Sequence, residues 1–149
     1  MGFEAGKFSQ KSYDQNDSYA KKLFKKFLIE KRGHKIISDK ENYDHDIISE
    51  KNGETYYFEL EMKRNYPFTT RESFQFPTVS FLARKERLHR KKPFNYIVIC
   101  YETNYFISCD SNKIYKNEYI EDRNLQHRVR KGHDKFFRVP KSECYFKKL

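Results

Sequence analysis

At 149 residues the chain is long enough for one domain and short for two. Its 31 Lys and Arg outnumber 21 Asp and Glu to give a formal charge of +10, and only 37% of residues are hydrophobic, a balance that alone points toward disorder. The 14 Phe and 12 Tyr argue for a folded domain instead, because each buried ring removes roughly 150–250 Å² from water and a small aromatic core then suffices.

Other classes fall away quickly. The longest apolar run, Tyr96-Ile97-Val98-Ile99-Cys100-Tyr101, has strand length, far short of the roughly 18 residues of a membrane span. The start, Met1-Gly2-Phe3-Glu4-Ala5-Gly6, has neither an apolar secretion signal nor the hydroxyl residue of a myristoylation site. Cys100, Cys109 and Cys144 are an odd number, widely spaced, so neither a disulfide framework nor a zinc module is expected. Localisation is expected in the cytoplasm or another reducing intracellular compartment. A pI near 9.4 makes a polyanion the first partner to consider.

Along the chain, residues 1–17 are polar and aperiodic and are expected to form a loosely held arm on a single domain spanning 1–149. Asp17 or Ser18 can cap a helix over Tyr19 to Arg32, with Tyr19, Leu23, Phe24, Phe27 and Leu28 as its apolar stripe and Gly33 as its stop. Lys21, Lys22, Lys25 and Lys26 occupy the other side, read as a solvated face. A short strand is expected near His34 to Ile37. Two β-rich runs, Tyr43 to Ser49 and Glu54 to Lys63, then flank Asn52-Gly53, a strong type I′ hairpin signal. A basic helix is expected from about Phe81 to His89, capped by Ser80. A second hairpin covers Phe94 to Glu102 and Tyr105 to Asp110, followed by a short helix near 117–131 and a strand at Phe136 to Val139. This order suggests α/β layers.

Register turns the first hairpin into a chemical argument. With Asn52 and Gly53 as the turn, Asp44 faces Glu61 and Asp46 faces Glu59. Alternation places Asp44, Asp46, Glu59, Glu61 and Lys63 on one face, and His45, Ile47, Phe58, Leu60 and Met62 on the other. Like charges directly opposite destabilise a sheet, so the acidic face calls for a neutralising partner. A divalent cation fits, and Mg²⁺ characteristically takes one or two carboxylates plus phosphate oxygens. Glu59 either completes a Glu-x-Glu variant of such a site or pairs with a lysine. His45 reads as a satisfied core histidine.

Asp46 followed by Glu61-Met62-Lys63 on the next strand resembles the PD-(D/E)XK nuclease superfamily, which includes restriction endonucleases and Holliday-junction resolvases. The preceding helix and the strand–helix–strand after the motif stand in the order that superfamily uses. No proline precedes either aspartate, and Glu30 lies near the end of the first helix, where resolvase-like members often carry a glutamate at the midpoint. The resemblance implies a restriction-endonuclease-like fold, a mixed β-sheet flanked by helices on an αβββαβ core. It further implies a Mg²⁺-dependent endonuclease acting on DNA, with Mn²⁺ able to substitute, and for many members a homodimer. By position, Asp46 and Glu61 correspond to the metal-binding carboxylates and Lys63 to the catalytic lysine.

Two basic segments add to this. Residues 84–92 carry six Lys or Arg and one acid, and residues 128–141 carry six and one. Arg84, Lys85, Arg87, Arg128, Arg130 and Lys131 are the candidate nucleic-acid contacts, with Arg84 and Lys85 closest in sequence to the motif. Tyr66 and Tyr115 are candidates for stacking unpaired bases. The alternative reading is a non-catalytic nucleic-acid-binding protein that keeps a nuclease-like fold.

Overall fold

The structure, a computed structural model, describes residues 10–40, 45–121 and 135–149, with side chains from residue 18 onward. The first helix, α1, spans Gln10–Arg32 and is longer than its apolar stripe. Asp17 and Ser18 therefore lie within it and do not cap it. Nothing in residues 10–18 breaks a helix, and propagation past a packed segment is inexpensive. The second half of the expected arm is thus helical, while residues 1–9 lie outside the described residues. Gly33 ends α1 at a positive φ of 70°, and the His34 N–H reaches back to the Leu28 carbonyl at 2.9 Å. Lys21 and Lys25 fold onto Asp39, one on its carbonyl and the other on its carboxylate, while Lys22 and Lys26 stay exposed.

Three antiparallel strands follow: β1 (Lys35–Ser38), β2 (Ile47–Lys51) and β3 (Glu54–Lys63). Asn52 and Gly53 adopt φ of 53° and 80°, the two positive values a type I′ turn demands. Pairing runs from Ile47↔Phe58 to Lys51↔Glu54, the register expected from the turn. β2 begins four residues later than the β-rich run suggested; residues 41–44, Asp44 among them, lie outside the described residues.

Next comes β4 (Thr78–Leu82), which takes Phe81 and Leu82 out of the expected helix. Val79 and Phe81 are buried against Val139 and Phe137 of β7 (Phe136–Pro140), so period-two burial overrides the helical reading. The helical part shrinks to a 3₁₀ turn at Ala83–Lys85 and α2 (Glu86–Lys91). β5 (Asn95–Cys100) lies parallel to β3 and forms a hairpin with β6 (Tyr105–Asp110). α3 (Ser111–Ile114) and a 3₁₀ turn at Asn117–Tyr119 follow where a helix near 117–131 was expected; residues 122–134 lie outside the described residues. β8 (Tyr145–Lys148) completes the order.

The result is an α/β fold on a six-stranded mixed sheet in the order β1-β2-β3-β5-β6-β8, with β4-β7 forming a separate ribbon. α1 covers one face. Phe24 meets Phe58 and Phe106 edge-on at 5.2 and 5.5 Å, with Ile47, Leu60, Ile97 and Ile99 completing that core. The opposite face packs Tyr96, Val98 and Ile107 against Val79, Phe81, Phe137 and Val139 of the ribbon and against Leu88 of α2. The three cysteines are free and buried on this second side. At the sheet edges, β1 shifts register between Ile36 and Ser38, and β8 ends in Lys147 and Lys148. Among the described residues no helix is long and apolar enough to cross a membrane.

Candidate functional site

β2 parts from β3 just before Ile47, and the chemistry gathers at that gap. The Asp46 N–H donates to Glu59 Oε2 at 2.8 Å, while Asp46 Oδ2 accepts the Leu60 N–H at 2.8 Å. Two carboxylates thus stand in for the ladder that β2 no longer supplies, and Leu60 keeps its main-chain donor satisfied. The Leu60 carbonyl receives Lys85 Nζ at 3.0 Å. The same ammonium donates to Glu59 Oε1 at 3.2 Å and stands 4.0 Å from Asp46 Oδ2.

The Lys85 side chain is only 13% exposed and that of Glu59 only 4%. Burial, opposed by Lys85 and reinforced by the neighbouring Asp46 charge, pushes the Glu59 carboxyl up to about 6. Lys85 holds its proton above the ordinary lysine range: burial works against the charge, but Glu59, Asp46 and Glu61 together outweigh it. One ammonium among three carboxylates explains both directions, since the most buried acid is the first to take up a proton.

Glu61 lies one strand period further along β3. The Tyr96 hydroxyl donates to Glu61 Oε1 at 2.6 Å and accepts the Leu82 N–H at 3.3 Å. Burial first, and then the Glu61 charge, push the Tyr96 phenol well above its ordinary value, so it acts here as a fixed donor. Glu61 Oε2 is 3.7 Å from Lys63 Nζ. Exposure rises outward through the group: 18% for the Asp46 side chain, 20% for Glu61 and 35% for Lys63.

The sheet face therefore carries Asp46, Glu59, Glu61 and Lys63, as the hairpin register suggested, and Asp44 lies outside the described residues. Two readings change. Lys85, expected to meet a phosphate backbone, is turned inward against Glu59 and Asp46 and offsets part of the cluster's charge. His45, expected on the α1 side with Ile47, packs between Tyr57 and Phe94 on the other side, with Nε2 3.0 Å from the Lys92 carbonyl. It precedes β2, where alternation no longer governs, and it is the satisfied core histidine anticipated. Arg84 and Arg87 are exposed beside Lys85; Arg128, Arg130 and Lys131 lie outside the described residues. Tyr115 is a packing residue, its hydroxyl donating to the Leu82 carbonyl at 3.2 Å. Tyr96 escaped the sequence reading, although a lone tyrosine in an otherwise aliphatic strand core signals a buried hydroxyl in need of a partner.

Among the described residues no three His, Cys, Asp or Glu side chains gather as a set able to hold a metal ion. Mg²⁺ asks for less, one or two carboxylates with substrate and water oxygens filling the rest. Asp46 and Glu61, each a hard-oxygen donor anchored through one oxygen and partly open to solvent, fit that smaller requirement; Glu59, held between Lys85 and the Asp46 N–H, does not. Comparison with protein-family models, with curated proteins and with solved structures gives no match.

Proposed function

We propose that this chain is a Mg²⁺-dependent nuclease acting on DNA, with Asp46 and Glu61 holding the ion and Lys63 beside it. The observation that carries this reading is the outward gradient on one sheet face: two anchored, partly exposed carboxylates and then an open lysine. Topology supports it, since a helix, a three-stranded meander, a crossover and a strand parallel to β3 follow the αβββαβ order that the motif implies.

A bound Mg²⁺ would polarise the phosphodiester and lower the pKa of a coordinated water. The protein's own groups supply the rest. Leu60 N–H and the Tyr96 hydroxyl fix Asp46 and Glu61 in place, so the carboxylates need no reorganisation at the moment of reaction. Lys85 suppresses repulsion between Asp46 and Glu59 from below. Lys63, on the solvent side of Glu61, places positive charge where a phosphoryl group gains negative charge. Exposed Arg84 and Arg87 favour approach of a polyanion.

One observation favours a second reading. Lys85 already offsets part of the cluster's charge, and Lys63 stands beside Glu61, so a protein that only binds nucleic acid could keep these carboxylates without a metal. Incubation of circular and linear DNA, and of RNA, with Mg²⁺, Mn²⁺ or EDTA separates the two. Metal-dependent cleavage is expected, with Lys63→Ala and Asp46→Asn each losing about 10²–10³ in rate while both stay folded and Asp46→Asn still binds DNA. Binding without cleavage in either metal would move the assignment to the second reading.

A further inference from the structure

Beyond Lys63 the chain turns at Asn65, which adopts a positive φ of 70°, and residues 65–69 and 73–80 then wall a cavity of about 750 Å³. That volume is within the roughly 300–1,000 Å³ of small-ligand sites. Lys63 belongs to both places: it lines the cavity and stands 3.7 Å from Glu61.

We propose that this cavity receives a single unstacked nucleotide of a nucleic-acid strand, its base on Tyr66 and Phe76 and its phosphate toward Lys63 and Arg138. The inference rests on the nuclease reading and adds a substrate class to it, strands with an unpaired nucleotide next to the cleaved bond. Tyr66 and Phe76 line the cavity and are 69% and 50% exposed, although aromatic rings of this kind are usually withdrawn into the core. Among the described residues, Lys63 and Arg138 are its charged lining side chains, and no Asp or Glu lines it. Aromatic surface beside two cations suits a ligand that is both flat and anionic. Arg138 also makes an exposed pair with Glu121 at 2.8 Å, which water screens and an arriving phosphate can replace.

The wall is braced before any ligand arrives. Thr103 Oγ1 donates to the Phe68 carbonyl at 2.6 Å, and Lys141 Nζ donates to the carbonyls of Arg71 and Phe74 at 3.1 and 3.0 Å. The Arg71 guanidinium in turn donates to the Cys144 carbonyl at 2.7 Å. A site held this way loses little entropy when it is filled. A duplex must first unstack a base to use it, whereas a single strand need not.

A hexanucleotide containing 2-aminopurine, followed by fluorescence and anisotropy in EDTA, tests this without relying on cleavage. The expected result is quenching on binding, and affinity for the single strand about ten-fold or more above that for the same sequence in a duplex. The Tyr66→Ala/Phe76→Ala variant should lose about ten-fold in single-strand binding, by the usual worth of base–aromatic stacking, with duplex binding unchanged; Tyr66→Phe should retain it. Equal affinities, no quenching, or a double variant that binds like the parent would overturn the proposal. So would dAMP binding as tightly as the hexanucleotide, which would mark a mononucleotide site. Cleavage of the same strand in Mg²⁺ is scored separately: quenching without cleavage removes the nuclease reading and keeps the pocket, and cleavage without quenching does the reverse.

Discussion

The two faces of the central sheet solve different problems with the same strands. Toward α1, β3 offers Phe58 and Leu60, which pack with Phe24, Phe27, Ile97 and Phe106 in a largely apolar layer, its buried Ser49 paired with His34 at 2.8 Å. Toward α2 and the ribbon, the same strand offers Glu59 and Glu61, one locked to Lys85 and the other to Tyr96. The first face is stabilised by removing hydrocarbon from water, and its geometry has no further role. On the second, each buried charge needs a partner at a particular atom, so that layer is specified by hydrogen bonds. Both faces bury an apolar core, but only the second also carries the charged cluster, and alternation along one strand keeps those charges off the α1 side.

This contrast can be broken from either side. Phe24→Ala opens a cavity beneath Phe58 and Phe106 and should cost about 4 kcal/mol, as buried aromatic truncations do. Urea denaturation should show that cost unchanged by salt; a marked salt dependence would mean that charge reaches the packing around Phe24. On the other face, Lys85→Met leaves Glu59 and Asp46 without their ammonium and should cost about 3 kcal/mol. Adding Glu59→Gln should recover most of the loss in a double-mutant cycle, whereas simple additivity would dissolve the pair.

The smallest effect is a pH dependence carried by Glu59. Its folded carboxyl titrates at about 6, above the ordinary value of 4.5, so between those values the native state binds more protons than the unfolded chain. Stability relative to Glu59→Gln should therefore be greatest below pH 4.5 and fall by about 2 kcal/mol as pH rises through 6. A flat difference across that window would mean that Glu59 is better compensated than its burial implies.

What was legible in the sequence follows the same division. Asn52-Gly53 could be read because only a few residues accept two successive positive φ values, and that turn alone set the β2–β3 register and the face of Glu59, Glu61 and Lys63. Phe81 and Leu82 were misread because their strand partner is β7, far along the chain, and a local window ending in basic residues looks helical. The position of Lys85 was hidden for a related reason. In sequence it is one of six cations within residues 84–92, and only the crossover from β3 to β5 reveals that it enters the gap just before β2 begins. Tyr96 depends on that parallel pairing too, since it reaches Glu61 from the neighbouring strand.

The edges of the sheet bear on how the molecule behaves in a crowd. A strand with unpaired amides invites another to add to it, and an aromatic-rich chain would be prone to stack this way. β1 is four residues long and irregular between Ile36 and Ser38, which disrupts a regular template. β8 puts Lys147 and Lys148 on the opposite border, where an incoming copy would meet like charge. These features work against runaway strand addition at either border.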